Sequence, residues 1–342
     1  MILETVEAGG CRSYLIGCPD THQAAVIDPE AGKVDVYKGL ASRHGLVVRY
    51  AIDTHTHADH FSATRQVAAA LGARIAMHHL SPAPHVDLKL DDGDMLLVGN
   101  MRLAVMHTPG HTLDSTCLAV EDRVFTGDTL LIGGTGRTDL PTGDPDMLYD
   151  SLFGRLLRLD PNTQVHPAHE YKGRAGTTIG EEIASNPRLQ KTARADFVQM
   201  MRDLDIKAPT HLTEALRVNM SGARSVAEVL AEASANVPFM SMPEVSRRIA
   251  ARANDLIVLD VREKDAFEAG HLPGAVSLPR GQLELRVNEA FPDPTMRIVC
   301  VCEFGKISTL AAQTLRTLGF RHASALDGGM KAWRDSGLPL ES

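Results

Sequence analysis

Residues 54–60 read Thr-His-Thr-His-Ala-Asp-His, and nothing else in the chain constrains its fold and chemistry so strongly. The run before it, Leu46-Val47-Val48-Arg49-Tyr50-Ala51-Ile52-Asp53, is apolar and rich in β-formers, so it predicts a buried strand that ends where the histidines begin. A loop held by a rigid strand is a usual place for metal chemistry. Imidazole and carboxylate donors suit a transition metal, but this segment alone supplies too few groups to close a site.

The missing donors follow in order. Pro109-Gly110-His111-Thr112 comes after the apolar stretch Leu103–Met106. Gly127-Asp128-Thr129 comes after Val124-Phe125, and Pro167-Ala168-His169-Glu170 after Gln164-Val165-His166. Any one of them reads equally well as a hydrogen-bonded histidine or aspartate at a turn. Four potential ligands, each just past a strand-like run, point to one metal centre at the end of a sheet.

The order H-x-H-x-D-H, P-G-H-T, G-D-T and P-A-H-E-Y resembles the metallo-β-lactamase superfamily over about residues 1–222, which implies an αββα sandwich with its metal at one edge. Gly136-Arg137-Thr138-Asp139, the run Pro167–Gly173, Glu181-Glu182 and Asn186-Pro187-Arg188-Leu189 resemble the persulfide dioxygenases more than the glyoxalase II thioester hydrolases. The donors alone leave both chemistries open. His55, His57, Asp59, His60, His111, Asp128 and His169 would serve two metals and a bridging water, whereas two His and one carboxylate around Fe(II) leave positions for dioxygen and a thiolate. The resemblance implies one Fe(II) per chain on His55, His111 and Asp128. His57, Asp59, His60 and His169 then orient those ligands or hold water. It also implies that Arg137 and Tyr171 hold a glutathione moiety, with Lys172, Arg174 and Arg217 as further cations.

The chain has 342 residues, room for two domains. Its 44% hydrophobic and 23% charged content fits a globular protein. A net charge of −8 argues against nucleic acid or an anionic membrane as the main partner, so an anionic substrate needs cations placed at the site. No basic leader or membrane-length apolar run is present, and a cytoplasmic location is expected. Five cysteines, an odd number, disfavour a disulfide framework. A homo-oligomer is compatible with all of this.

The pattern changes after residue 205. The segment 223–239 is expected as a linker with a short helix within 225–235. A new αβ alternation occupies 240–342, beginning with a helix over 243–253 and a buried strand at Leu256-Ile257-Val258-Leu259. Its centre is Arg297–Val301, then Cys302-Glu303-Phe304-Gly305-Lys306-Ile307-Ser308 and a helical pattern through Leu318. Such a strand–loop–helix turns loop amides and a helix N-terminus toward the Cys302 sulfur, an arrangement that favours anions. Cys300 reads as a buried structural cysteine.

Together with Asp260-Val261-Arg262, His271-Leu272-Pro273-Gly274-Ala275 and Leu326-Asp327-Gly328-Gly329-Met330, this loop resembles the rhodanese family, an α/β fold with a mostly parallel sheet. The resemblance implies that Cys302 carries a sulfane sulfur, and Asp260 and Arg262 read as a structural ion pair. Glu303 and Ile307 depart from the more cationic loops of thiosulfate-using relatives, leaving Lys306 as the loop cation and thiosulfate disfavoured. The two halves together imply oxidation of glutathione persulfide by O2 to sulfite and glutathione, joined to sulfur transfer among persulfide, sulfite and thiosulfate. Two alternatives are a thioester hydrolase, and a dioxygenase whose rhodanese domain only carries or senses sulfur.

Overall fold

The computed structural model describes residues 1–205, 212–251 and 255–342, which fall into two compact units, Met1–Ala223 and Arg224–Ser342. In the first unit one six-stranded sheet runs in spatial order through β1 (Ile2–Ala8), β2 (Cys11–Gly17), β3 (Gln23–Ile27), β4 (Val47–Ile52), β5 (Arg74–His78) and β6 (Leu88–Leu90). A second comprises β7 (Met95–Val98), β8 (Met101–His107), β9 (Thr116–Val120), β10 (Arg123–Gly127), β11 (Gln164–Pro167) and β12 (Thr177–Thr178). Successive side chains of these strands point to opposite sides and give each sheet two faces, and β2, β3, β9 and β10 are buried along nearly their whole length.

The inner faces meet through Tyr14, Ile16, Ile27 and Ile52 from one sheet and Leu103, Val105, Leu118 and Phe125 from the other. Tyr37, Leu40 and Val67, from helices Val34–Arg43 and Thr64–Leu71, cover the outside of the first sheet. Leu148, Leu152 and Phe197 cover the second. The result is the expected αββα sandwich, because each sheet must bury both faces. β3 to β6 run parallel, as do β10 and β11, so β4, β5 and β6 all end at one edge of their sheet. The histidine segment leaves β4 there.

In the second unit the order is β13 (Phe239–Met240), β17 (Ser324–Leu326), β16 (Arg297–Val301), β14 (Leu256–Asp260), β15 (Val276–Ser277), with every pairing parallel. Cores on both faces, one around Leu259, Ile298 and Leu315 and the other around Val258, Val299 and Trp333, explain why β14 and β16 read as continuous apolar runs. The segment 223–239, expected as a linker, contains the helix Val226–Asn236, which packs against the helix Lys306–Thr317, and from Arg224 onward it belongs to this unit. The helix expected over 243–253 runs Met242–Ala250, and residues 252–254 lie outside the described ones. No helix among the described residues is long and apolar enough to cross a membrane.

Candidate active sites

The structure brings His55, His111 and Asp128 together, with one donor atom of each within 4.8 Å of the others. His55 follows β4. The Thr54 hydroxyl donates to Asp28 Oδ2 (3.0 Å) and accepts from His55 Nδ1 (2.9 Å), which leaves the lone pair on Nε2. That atom is buried and has no hydrogen-bond partner among the described residues. Burial, reinforced by the neighbouring His57 and His111 rings, holds His55 well below the usual histidine range and therefore neutral, the form a metal requires. His111 Nδ1 donates to the Arg137 carbonyl (2.8 Å), and Nε2 faces Asp128 Oδ2 at 3.4 Å.

Asp128 follows β10, where the pairing with β11 shifts register between Phe125 and Gly127. Gly127 has φ of +51°, and a Cβ there would strike Thr54, so only glycine delivers Asp128 beside His55 without moving the histidine loop. Gly136 is pressed as closely on the other side: a Cβ would lie 2.8 Å from His111 Nδ1. A buried polar atom without a partner is costly, and the unpartnered His55 Nε2 beside a second imidazole and a carboxylate fits a bound transition metal.

The remaining donors are arranged differently. His169 Nδ1 lies 2.6 Å from Asp128 Oδ1 and Nε2 lies 2.7 Å from Asp59 Oδ2, so both ring nitrogens are committed to carboxylates. Burial opposes it, but Asp128 and Asp59 raise His169 well above the usual histidine range, and a doubly protonated ring offers no lone pair. His60 Nδ1 is also on Asp59, at 3.2 Å. His57 Nε2 is held by Asp28 Oδ1 (3.1 Å) while its buried Nδ1 has no partner, a lone pair of ligand quality at a residue expected only to orient. Cys11 was counted in the sequence but assigned no role. It starts β2, bridges to His169, and sets its Sγ 3.5 Å from Asp59 Oδ2. Only the two glycines before it hinted that the chain turns there.

A cavity of about 670 Å³ opens onto His111, Asp128 and Cys11. Arg137, Tyr171, Lys172 and Arg174 are among its lining residues and Arg217 is not. The cations are unequal. Arg137 donates to both carboxylate oxygens of Asp139 (2.6 Å each), and Arg174 pairs with Glu170 (2.8 Å). Tyr171 is 71% exposed, its ring stacked on His169. Arg188, quoted in the sequence only as part of a motif, is half-buried and donates to the Thr135 carbonyl (2.8 Å) and hydroxyl (3.1 Å), with no carboxylate partner among the described residues. Burial lowers its pKa, with no counter-ion to oppose the effect.

In the second unit, β16 delivers Cys302 to a loop whose Gly305, at φ of +84°, caps the following helix. The sulfur is 2% exposed and takes the Ser308 amide N–H at 3.1 Å, with the Ser308 hydroxyl at 3.3 Å. Cys300 is wholly buried, and burial pushes its thiol up. Asp260 accepts from Arg262 at 2.7 Å, as expected of a structural pair. Glu303, expected to disfavour thiosulfate, has its carboxylate paired with Arg334 and 3.7 Å from Arg262, cations that the sequence did not place beside it. Phe304 and Ile307 stand 66% and 51% exposed, forming an apolar rim with Lys306 between them.

Comparison with known proteins agrees with both halves. A model of the metallo-beta-lactamase superfamily matches residues 6–169, and one of the rhodanese-like domain matches residues 241–336. The mouse protein named persulfide dioxygenase ETHE1, mitochondrial, is 34% identical over 224 residues, covering 64% of this chain and 87% of its own. The crystal structure of ETHE1 from Myxococcus xanthus superposes with a TM-score of 0.63 at 36% identity, covering 64% of this chain and 98% of that one. A metallo-beta-lactamase from Staphylococcus aureus, at 23% identity and a TM-score of 0.60, covers 96% of this chain and 98% of its own, so it shares the fold through both units. The chain thus belongs to the persulfide dioxygenase family of the metallo-β-lactamase superfamily, here fused to a C-terminal rhodanese domain.

Proposed function

We propose that the first unit oxidises glutathione persulfide with dioxygen at one Fe(II) held by His55, His111 and Asp128. The balance is GSSH + O2 + H2O giving GSH and sulfurous acid, which ionises to sulfite; the terminal sulfur is oxidised and dioxygen takes its four electrons. The observation that carries the reading is the contrast between His55 and His169. His55 presents a buried, unpartnered nitrogen, whereas both nitrogens of His169 are engaged by Asp59 and Asp128. Iron with two imidazoles, one carboxylate and open positions would supply the place where thiolate and dioxygen meet.

The chain's own groups do the rest. Asp28 and the Arg137 carbonyl fix the tautomers of His55 and His111 through Thr54 and Nδ1 respectively. Arg188 offers an unneutralised guanidinium to a substrate carboxylate. Tyr171 is placed to stack against the tripeptide at the cavity mouth.

The second unit would then move sulfur. The Cys302 thiolate attacks the terminal sulfur of a persulfide and expels a thiolate; sulfite takes that sulfur from the cysteine persulfide, giving thiosulfate and restoring the thiolate. The Ser308 amide at the sulfur supports the anionic states of this cycle.

A second reading, a two-metal thioester hydrolase of glyoxalase II type, draws on donor atoms of Cys11, Asp59, His60 and His169 that lie within 4.8 Å of one another. Metal analysis of anaerobically purified protein with oxygen uptake on glutathione persulfide separates the two. About one iron per chain and uptake lost with iron in His111→Ala and Asp128→Ala is expected. Two zinc ions with hydrolysis of S-lactoylglutathione and no uptake would replace the dioxygenase reading.

A further inference from the structure

A second group of metal donors stands apart from the candidate centre, at the ends of other strands. β5 ends at His78, followed by His79. β6 ends at Leu90, the register partner of His78, and is followed by Asp91; β8 ends at His107. One donor atom each of His78, His79 and Asp91 lies within 4.8 Å of the others. The His107 ring stacks on His78 at 4.0 Å between centroids and 13° between planes.

These residues differ in ways that suit a binding site. His78 is 2% exposed and fixed by its strand and by the stack, so it forms a rigid floor. Burial, and the nearby His107 and His79 rings, push its pKa down to about 4, leaving a neutral imidazole whose Nδ1 lone pair takes the Leu80 amide at 3.3 Å, a long contact that a bound ion would replace. His79 and Asp91 are the movable members, their side chains 44% and 65% exposed. His79 Nδ1 and Asp91 Oδ1 are 2.6 Å apart, close enough to share a proton. Ligands about 2.0–2.1 Å from a tetrahedral ion lie roughly 3.3 Å apart. A small rotation of two exposed side chains therefore replaces that proton with a cation.

We propose that His78, His79 and Asp91 bind one divalent d-block ion of the zinc or nickel class, completed by water, at the rim of the first unit. Two imidazoles and one carboxylate favour such an ion over calcium or magnesium, which take oxygen donors. The site ties the end of β5 to that of β6. It also abuts the base of the loop carrying His111, because His107 Nε2 donates to the Leu113 carbonyl and so pins that loop beside the stack. The bound ion would act as a clip on the strand ends that precede the catalytic edge. The proposal is independent of which metal His55 holds.

The test uses the iron-loaded full chain in equilibrium dialysis against zinc, and separately nickel, with iron and added metal measured together. Wild type should take one further ion per chain with its iron retained, and the melting temperature of the first unit should rise with it. His79→Ala and Asp91→Asn should each weaken the added site by about tenfold or more, since even outer partners of a ligand are worth that much. Both should keep iron content and oxygen uptake. Both substitutions are at exposed positions, so folding is not at stake. No added ion, an ion gained only as iron is lost, or an added ion held equally by both variants would overturn the proposal.

Discussion

Arg188→Ala should damage substrate binding more than Arg137→Ala, although Arg137 is the cation that the family resemblance singles out. Arg137 already spends its fork on Asp139, so an incoming carboxylate gains only what that partly exposed pair gives up. Arg188 has two contacts to the neutral Thr135 and no carboxylate to displace. A hydrogen bond to a charged group is worth about 1.5–3 kcal/mol, and each 1.4 kcal/mol is about tenfold in affinity. Arg188 is only half-buried, so the lower end applies: kcat/KM should fall roughly 10–30-fold, nearly all of it in KM. Arg137→Ala should cost about threefold by the same reasoning. The assay is initial oxygen uptake over a range of glutathione persulfide, repeated with a small persulfide that lacks the tripeptide's outlying carboxylates. Arg188→Lys, which keeps the charge but not the fork, should recover part of the loss. An unchanged KM in Arg188→Ala at wild-type iron content would refute the argument, as would an equal loss on the small persulfide.

Three further outcomes follow from the structure. Cys302→Ser should abolish sulfur exchange among glutathione persulfide, sulfite and thiosulfate with iron content and oxygen uptake near wild type, while Cys300→Ser, wholly buried, should change exchange by less than about threefold; retained exchange in Cys302→Ser would remove the cysteine from its role. Glu303→Gln should raise thiosulfate turnover several-fold at low salt by releasing Arg334, while Arg262 stays on Asp260, and should exceed Glu303→Arg, which sets a third guanidinium against those two; the gain should shrink as salt screens it. His166, half-buried between Tyr14 and Phe125, is pushed down to about 4 by burial and then by Arg123. Between about pH 6.5 and 4 the unfolded chain therefore binds a proton there that the folded chain refuses, and stability falls as pH drops through that window, by roughly 3 kcal/mol at most. His166→Phe should flatten the acid loss of stability of the first unit relative to wild type, measured by urea unfolding at pH 7 and 5.

Strand ends were legible because buried strands are short apolar runs and their ends carried the chemistry; β4, β8, β10, β14 and β16 lie where the apolar runs do. The donors of the metal centre were legible for the same reason. What stayed hidden depended on partners distant in sequence. Cys11 meets Asp59 across 48 positions, and Arg188 meets Thr135 across 53. The charge of Glu303 could not be weighed without Arg334, a helix away. His78, His79, Asp91 and His107 gave no motif because three separate strands bring them together. Which imidazole keeps a free nitrogen is likewise a property of hydrogen bonds rather than of spacing, and His57 shows how little the H-x-H pattern says about it.

Asp28 sits well outside every motif, yet one of its oxygens receives the Thr54 amide and His57 Nε2 while the other receives the Thr54 hydroxyl that orients His55. Two imidazoles are thus governed by one carboxylate, and a single substitution there would misdirect both at once. That makes the position a vulnerable point for loss of activity without any change in a candidate metal ligand. It is equally a handle for redesign: in Asp28→Asn, an amide nitrogen in the place of Oδ2 would donate to the Thr54 hydroxyl, which would then donate to His55 Nδ1 and reverse the tautomer of that ring, while the Thr54 amide and His57 stay on the remaining oxygen.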